Sequence, residues 1–220
     1  MVNLRRVLED NYGSLYTFIS FNNSNKSGFT SSTLQLVRST AITTSTFTFQ
    51  SQVQHFEGEI WTSEFKLPPM KRITAVSWQA FITQLRGRRG TFRLGDPDNT
   101  SLLGAATGTI SVNGASQTGN QVALDGFANS TTNVLKQGDY IQINSYMYLV
   151  VANASSNGSG EADVKIEPAL RSGIETINNN TVITYGPTAK TIWRLDDNNL
   201  GWDTDKVSNY GIAFSCTEAL

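Results

Sequence analysis

The segment TFRLGDPDN at residues 91–99 decides the fold, because a similar segment, WRLDDNN, returns at residues 193–199. Each contains an aromatic residue followed by an arginine and a leucine, and each ends in a turn of aspartates and asparagines, whose side chains favour turns by hydrogen-bonding nearby backbone. Two such strands predict neighbours in one sheet, with the intervening chain leaving the sheet and returning to it. We therefore expect residues 100–186 to form an inserted domain.

The flanking segments, 1–99 and 187–220, predict one discontinuous β-sandwich domain. Alternating apolar and polar residues indicate strands at 46–54 and 59–66, with Gly58 turning a hairpin between them. The chain ends in a further alternating segment, which needs a partner strand. The first sheet is the simplest choice for that partner.

One helix is predicted, at about residues 70–86. Pro68 and Pro69 end the extended segment before it, and proline suits a first helical turn, where its missing N–H is not needed. Gly87 follows as a candidate C-terminal cap. Apolar residues recur between these limits at helical spacing and form a wide stripe, made of Ile73, Val76, Trp78, Ala80, Phe81, Ile82 and Leu85.

The insertion has a strand rhythm of its own. Short alternating segments recur between glycines and asparagines, and closing such strands into a barrel removes their exposed edges. We expect a small β-barrel. The predicted strands are 107–112, 121–124, 139–143, 147–151, 162–166 and 181–185.

Composition excludes several classes of function. The chain has 17 basic and 18 acidic residues and a formal net charge of -1, so no overall field draws it to nucleic acid or to an anionic membrane. Its apolar runs fall well short of the ~20 residues that span a bilayer. Polar turn residues fill most of the other positions, which favours a mainly β chain. We expect no nucleic-acid sequence recognition and no membrane.

Few side chains suit catalysis or metal binding. The single histidine, His55, lies in an alternating segment without a serine elbow motif, and the single cysteine, Cys216, alternates with apolar neighbours as a buried small hydrophobe does. A metal site needs several such ligands together. We expect no enzyme activity, no catalytic residue, no cofactor and no metal.

Two other functions stay open on the residues alone. Glu57, Glu59 and Glu64 line one predicted hairpin, where paired carboxylates would serve a wall-degrading hydrolase. A carbohydrate-binding module for host-surface recognition would instead use an exposed tryptophan, for which Trp202 in a polar loop is the best candidate.

Four side chains are the candidates for an interface with other proteins. Three follow the predicted helix, where positive charge complements the helix dipole, and the fourth is the tryptophan of the polar loop. They are Arg86, Arg88, Arg89 and Trp202.

Short motifs beyond residue 57 form an ordered pattern. They are LPPM at 67–70, WQAF at 78–81, LRGRRGTF at 85–92 with GDP at 95–97, GDYIQI at 138–143 with YLV at 148–150, and YGIAFS at 210–215 with EAL at 218–220. In their order and spacing these motifs resemble the distal tail proteins of siphophages, which form the baseplate hub, and related prophage tail proteins.

The resemblance implies a structural protein of a bacteriophage virion, located at the viral tail tip after synthesis in the host cytoplasm. Distal tail proteins combine a β-sandwich ring domain carrying one helix with a second β domain that faces outward. They assemble, usually as a hexamer, between the tail tube protein and the tail tip, hub and fibre proteins. The family has no catalytic residues to carry over. Another minor tail protein with a related β core is the alternative within this class.

Overall fold

A computed structural model describes residues 7–9, 15–17, 28–199, 201–205 and 209–220. As predicted, the described chain is mainly β. Its one α-helix, α1, is Arg72–Gln84, and short 3-10 turns lie at Gly87–Arg89 and Gly186–Thr188. The strands are β1 (Val7–Glu9), β2 (Leu15–Thr17), β3 (Ser31–Thr44), β4 (Ser51–Lys66), β5 (Met70–Lys71), β6 (Thr91–Leu94), β7 (Ser111–Val112), β8 (Gln121–Asp125), β9 (Tyr140–Ile143), β10 (Tyr146–Val150), β11 (Ala162–Glu167), β12 (Thr184–Tyr185), β13 (Thr191–Leu195), β14 (Asp203–Thr204), β15 (Asn209–Gly211) and β16 (Ala213–Glu218).

The first sheet has five antiparallel strands in the order β3-β4-β16-β13-β6. The two strands of the repeated segment are neighbours, with Trp193 opposite Phe92, so that prediction is confirmed. Because they run antiparallel, Leu94 faces Thr191, and the chain leaves the sheet beside the place where it returns. The strand β16 pairs with β4 as well as with β13, which confirms the predicted partner of the C-terminal strand.

An aromatic core joins this sheet to α1. Trp78 lies 6.4 Å from Phe214, and Phe81 lies 5.7 Å from Phe92, measured between ring centroids. A three-stranded sheet, β14-β15-β5, supplies Met70 to the same core. The predicted β-sandwich with one helix is therefore confirmed. We call β3–β6, α1 and β13–β16 the sheet module.

The helix lies within two residues of its predicted limits at each end, but its predicted stripe is wrong in part. Ile73 is 84% exposed and Val76 is 47% exposed, and Ala80 is exposed as well. These three residues and the buried ones lie on different faces of the helix, and one sheet can cover only one face. The residues that reach the core are Ala75, Trp78, Phe81 and Ile82.

The second sheet has six strands in the order β12-β9-β10-β11-β8-β7, and each predicted strand of the insertion has a counterpart in it. Its two edges meet. The N–H of Val112 donates to the carbonyl of Thr181 over 2.9 Å, and the N–H of Ile183 donates to the carbonyl of Ile110 over 3.0 Å. The sheet therefore curls into a barrel around its own apolar core. We call β7–β12 and their loops the barrel module.

The two connections between the modules run side by side. The side-chain amide of Asn99 donates to the carbonyl of Gly186 over 2.8 Å. A Cβ added at Gly95 would lie 2.1 Å from the carbonyl oxygen of Ala189, so only glycine allows this close approach. The outgoing and returning chains are thus fastened to each other.

The hairpin predicted at Gly58 is wrong. Gly58 lies inside β4, and the turn of the hairpin is at residues 45–50 instead. The strands β3 and β4 pair from Ser31 opposite Lys66 to Thr44 opposite Ser51. The alternation continues on both sides of Gly58 because a β-bulge, and not a turn, interrupts the pairing there.

Candidate assembly surface

The outer half of the β3–β4 hairpin projects beyond a bulge. Arg38 pairs with Glu59 and Thr40 pairs with His55, so the single residue Ser39 faces residues 56–58. Such a bulge bends and twists the strand that carries it. Since β16 pairs with β4 only from Thr62 to Lys66, the part beyond the bulge has no third strand among the described residues. We call residues 39–56 the arm.

The tip of the arm is an ordered turn that carries two exposed aromatic rings. The hydroxyl of Ser45 accepts the N–H groups of Phe47 and Thr48, each over 3.3 Å, and the N–H of Phe49 donates to the carbonyl of Ser45 over 2.9 Å. Phe49 adopts a left-handed backbone conformation with φ of 54°. Phe47 is 94% exposed and Phe49 is 81% exposed. The turn therefore presents both rings to whatever meets the arm.

The arm has no charged residue. Between Ser39 and Phe56 the sequence contains no aspartate, glutamate, lysine or arginine. Ile42 and Val53 are directly paired across the strands and are both exposed, so they add an apolar patch on one face. Sheet edges that must stay single usually carry charges, lysine above all, that prevent pairing with another chain. This edge lacks that protection.

A buried ion pair lies between the two modules. Arg171 of the barrel module contacts Glu218 of β16, with Nη2 2.6 Å from Oε2. The other oxygen of Glu218 accepts the hydroxyl of Thr191 over 2.8 Å, and the backbone N–H of Trp61 donates to Oε2 over 3.3 Å. Burial raises the pKa of the Tyr148 hydroxyl, which accepts the N–H of Arg171. The two charges therefore neutralise each other and the Glu218 carboxylate is hydrogen-bonded at both oxygens, although the Nε of Arg171 is buried without a partner among the described atoms.

A second ion-pair network holds the root of the arm to the barrel module. Arg38 contacts Glu59 over 2.7 Å and Glu167 over 2.8 Å, and the N–H of Ala169 donates to Glu59 over 2.9 Å. Burial by itself would raise the pKa of Glu59, but the Ala169 N–H and the Arg38 guanidinium outweigh it and hold that pKa below its usual value. Glu59 is thus an ionised structural carboxylate.

The indole of Trp61 completes the junction. Its Nε1 donates to the carbonyl of Met147 in the barrel module over 3.2 Å. Leu149 of the same strand packs against the core of the sheet module. Together with the two ion-pair networks, these contacts fix the direction of the arm relative to the barrel module.

The predicted interface arginines lie just after α1. The helix ends one residue earlier than a cap at Gly87 requires, because its C-cap is Leu85 and Arg86 is already left-handed. All three arginine side chains are exposed. The backbone N–H of Arg88 donates to the side chain of Asn198 over 3.0 Å, which places this turn against the loop that leads to Trp202. Trp202 is 45% exposed, so it stays available for contact.

Glu59 and Glu64, the two hydrolase candidates whose side chains the structure describes, do not form a carboxylate pair. Glu59 is buried in its ion pair, whereas Glu64 is exposed on the opposite face of β4. Five residues of strand separate them, roughly 16 Å at ~3.3 Å per residue, beyond the ~5 to 9.5 Å that glycoside cleavage needs. The side chain of Glu57 lies outside the described atoms.

The lone histidine and cysteine lie apart. His55 is exposed on the arm, opposite Thr40. Cys216 is fully buried in the core, as predicted, and this burial raises the pKa of its thiol, which stays neutral. In the ranges that the structure describes, no three histidine, cysteine, aspartate or glutamate side chains converge as metal ligands would.

Sequence reasoning missed the arm as a surface. It placed Phe47 and Phe49 on the face of a strand, whereas they lie at a turn. The available signal was the run of uncharged residues from Ser39 to Phe56.

No helix in the described ranges is long and apolar enough to cross a membrane. Comparison with family models and with curated proteins gives no match to this chain.

Proposed function

We propose that this chain is a structural subunit of a bacteriophage tail, a distal-tail-like hub protein that forms a closed ring between the tail tube and the tail tip. The observation that carries the proposal is the arm, an uncharged ribbon with two exposed phenylalanines at its tip and no covering partner among the described residues. Such a surface suits a subunit that is completed by its neighbours.

The energetics of the arm support assembly. A two-stranded hairpin is at best marginally stable in water unless a third strand or another layer covers it. Exposed phenylalanines bury ~150 to 250 Å² each when covered, so the tip offers at least about 300 Å², the size of a functional patch. In a closed ring every copy covers one neighbour and is covered by another.

The resembling motifs occupy core positions of both modules. Leu67, Met70 and Phe92 belong to the core of the sheet module, and Ile141 and Val150 belong to the core of the barrel module. Core positions specify a fold and not a reaction. The resemblance therefore supports a shared architecture, and it gives no reason to expect catalysis.

The junction suits a hub. Domains that meet through small interfaces move relative to one another by default. Here the contacts of Arg38, Glu59, Trp61, Arg171 and Glu218 join the modules at several points. A ring subunit that links a tube on one side to tip proteins on the other needs this fixed geometry.

The proposal is tested on the purified chain by light scattering and negative-stain electron microscopy, with and without tail tube subunits. We expect a hexameric mass and closed rings, or co-assembly with the tube subunits. A protein that stays monomeric at high concentration and ignores the tube subunits contradicts the proposal.

A matched pair of variants tests the role of the arm. The double change Phe47→Ser with Phe49→Ser should abolish assembly, because it removes the apolar tip while circular dichroism remains that of the folded chain. Val182→Ser is the control, since Val182 is a 61% exposed apolar residue of the barrel module. Equal loss of assembly in both variants would remove the arm from the interface.

A further inference from the structure

The outer face of α1 is unusual for a surface helix. From Ile73 to Gln84 the sequence has no aspartate, glutamate, lysine or arginine, although a surface helix normally turns a charged face to water. That face presents a row at helical spacing made of Ile73, Val76 and Ala80. We call this row the helix stripe.

The helix stripe and the arm match in chemistry. Both lack charged groups, so their contact requires no ion to lose its water, which is the main penalty of buried polar interfaces. Both offer apolar carbon among serine, threonine and glutamine. Ile73 is 84% exposed and Phe47 is 94% exposed, so neither is covered by the part of its own chain that the structure describes.

The apolar residues exposed on the barrel module do not form such a seat. In the barrel module they are Leu103, Val151, Ile174 and Val182, which come from four separate segments of the chain. Single exposed apolar side chains are ordinary on protein surfaces. A row of exposed side chains on one helix is different, because it is a contiguous patch.

We propose that the arm tip of one copy packs on the helix stripe of a second copy, with Phe47 and Phe49 against Ile73 and Val76. This rests on the proposed ring and specifies its contact. The arm and the helix stripe are different surfaces of one module, so the contact is head-to-tail, and repetition of a head-to-tail contact closes a ring when the rotation allows it.

Disulfide trapping tests the contact. The double variant Phe47→Cys with Ile73→Cys is oxidised in the assembled state and separated on a denaturing gel without reductant. A disulfide needs Cα atoms within about 7 Å, so Phe49→Cys and Val76→Cys are combined in the same way. The native Cys216 is fully buried, so it should not form a disulfide in this experiment. We expect a ladder of linked multimers that ends at the ring size in at least one of the four pairs.

Three controls make the ladder specific. Phe47→Cys alone should give no ladder, and dimers from it would mean that arms pair with each other, which overturns the proposal. Phe47→Cys with Val182→Cys should stay monomeric, and a ladder there would show unspecific trapping. A fast-moving monomer from Phe47→Cys with Ile73→Cys would show that the arm reaches its own helix, which also overturns it.

The outcomes separate the two proposals. Rings seen by microscopy without a ladder in any pair would refute the helix stripe as the seat and leave the ring in place. Monomers that ignore the tube subunits would refute both. Cross-links formed only to added tube subunits would assign the arm to a different partner and refute the contact between copies.

Discussion

The barrel module and the sheet module treat their strand edges in opposite ways. The six-stranded sheet closes on itself through the hydrogen bonds between residues 110–112 and 181–183. The five-stranded sheet stays open, with β3 and β6 at its edges, and its hairpin extends into the uncharged arm. One module is complete by itself, whereas the other offers backbone and apolar groups for pairing.

This difference indicates that the barrel core contributes to the stability of the fold, whereas the arm is suited to association with other chains. Most apolar side chains of the barrel module point into its own core. Those of the arm point outward. Loss of a side chain should therefore unfold the first region and disassemble the second, and the following changes sharpen or break that division.

The largest effect is expected at the junction. Glu218→Ala would leave the buried Arg171 guanidinium without its counter-ion, which costs about 3–5 kcal/mol of unfolding free energy. Urea denaturation followed by tryptophan fluorescence measures it. Replacing both partners, as Arg171→Met with Glu218→Gln, removes both charges and keeps an acceptor for Thr191 and Trp61, so it should recover part of the loss. If the free energy of unfolding of Glu218→Ala lies within about 1 kcal/mol of the wild-type value, the ion pair does not hold the junction together.

The next effect compares the two regions directly. Leu124→Ala in the sealed barrel core should cost about 2–5 kcal/mol, because the cavity it leaves is fully buried. Ile42→Ala on the arm should change the stability of the monomer by no more than about 0.5 kcal/mol. Thermal unfolding at a concentration below assembly measures both. Similar losses in the two variants would contradict the division between the regions.

A smaller effect is expected where the modules connect. Gly95→Ala would place a Cβ against the carbonyl oxygen of Ala189 and force the two connections apart, at about 1–3 kcal/mol. Gly158→Ala is the control, since a Cβ there meets nothing within 4 Å. Chemical denaturation of both variants distinguishes a tight crossing from an ordinary glycine. If Gly95→Ala leaves the free energy of unfolding unchanged, the two connections can move apart without cost.

The last effect depends on pH and fades as Glu59 becomes protonated. The folded-state pKa of Glu59 is lowered, so its ion pair stabilises the fold above the unfolded-state value of ~4.3 and loses that effect as the pH falls through the folded-state value. Glu59→Gln should cost about 1–3 kcal/mol at neutral pH, and the gap to the wild type should narrow below about pH 4. Urea titrations across pH 7 to about 3 test this. A gap that stays constant would contradict it.

Sequence patterns were enough for much of the fold. The repeated aromatic-Arg-Leu segment gave β6 and β13 as neighbours because such a strand and its turn are encoded locally. The six strands of the barrel module followed from alternation between turn residues. The helix limits followed from Pro68, Pro69 and the apolar spacing.

The predictions that were wrong, or that the sequence did not offer, concern features that depend on tertiary contacts. A glycine in an alternating segment fits both a turn and a bulge, and only the register of β3 against β4 decides between them at Gly58. Two apolar rows on one helix look alike in sequence until a sheet covers one of them. The sequence groups Glu59 with Glu57 and Glu64 on one hairpin and does not reveal its ion pair, because its partners Arg38 and Ala169 are distant in the chain.

The continuity of β4 has a mechanical consequence. This single strand begins in the arm, passes Glu59 and Trp61 at the junction, and ends hydrogen-bonded to β16. A force along a strand is carried by covalent bonds of the backbone. A force on the tip of the arm is therefore transmitted to Glu59 and Trp61, which hold the barrel module. In the proposed ring, the arrival of a neighbour at the tip would thus also set the tilt of the barrel module, so ring closure and alignment of the barrel modules would occur together.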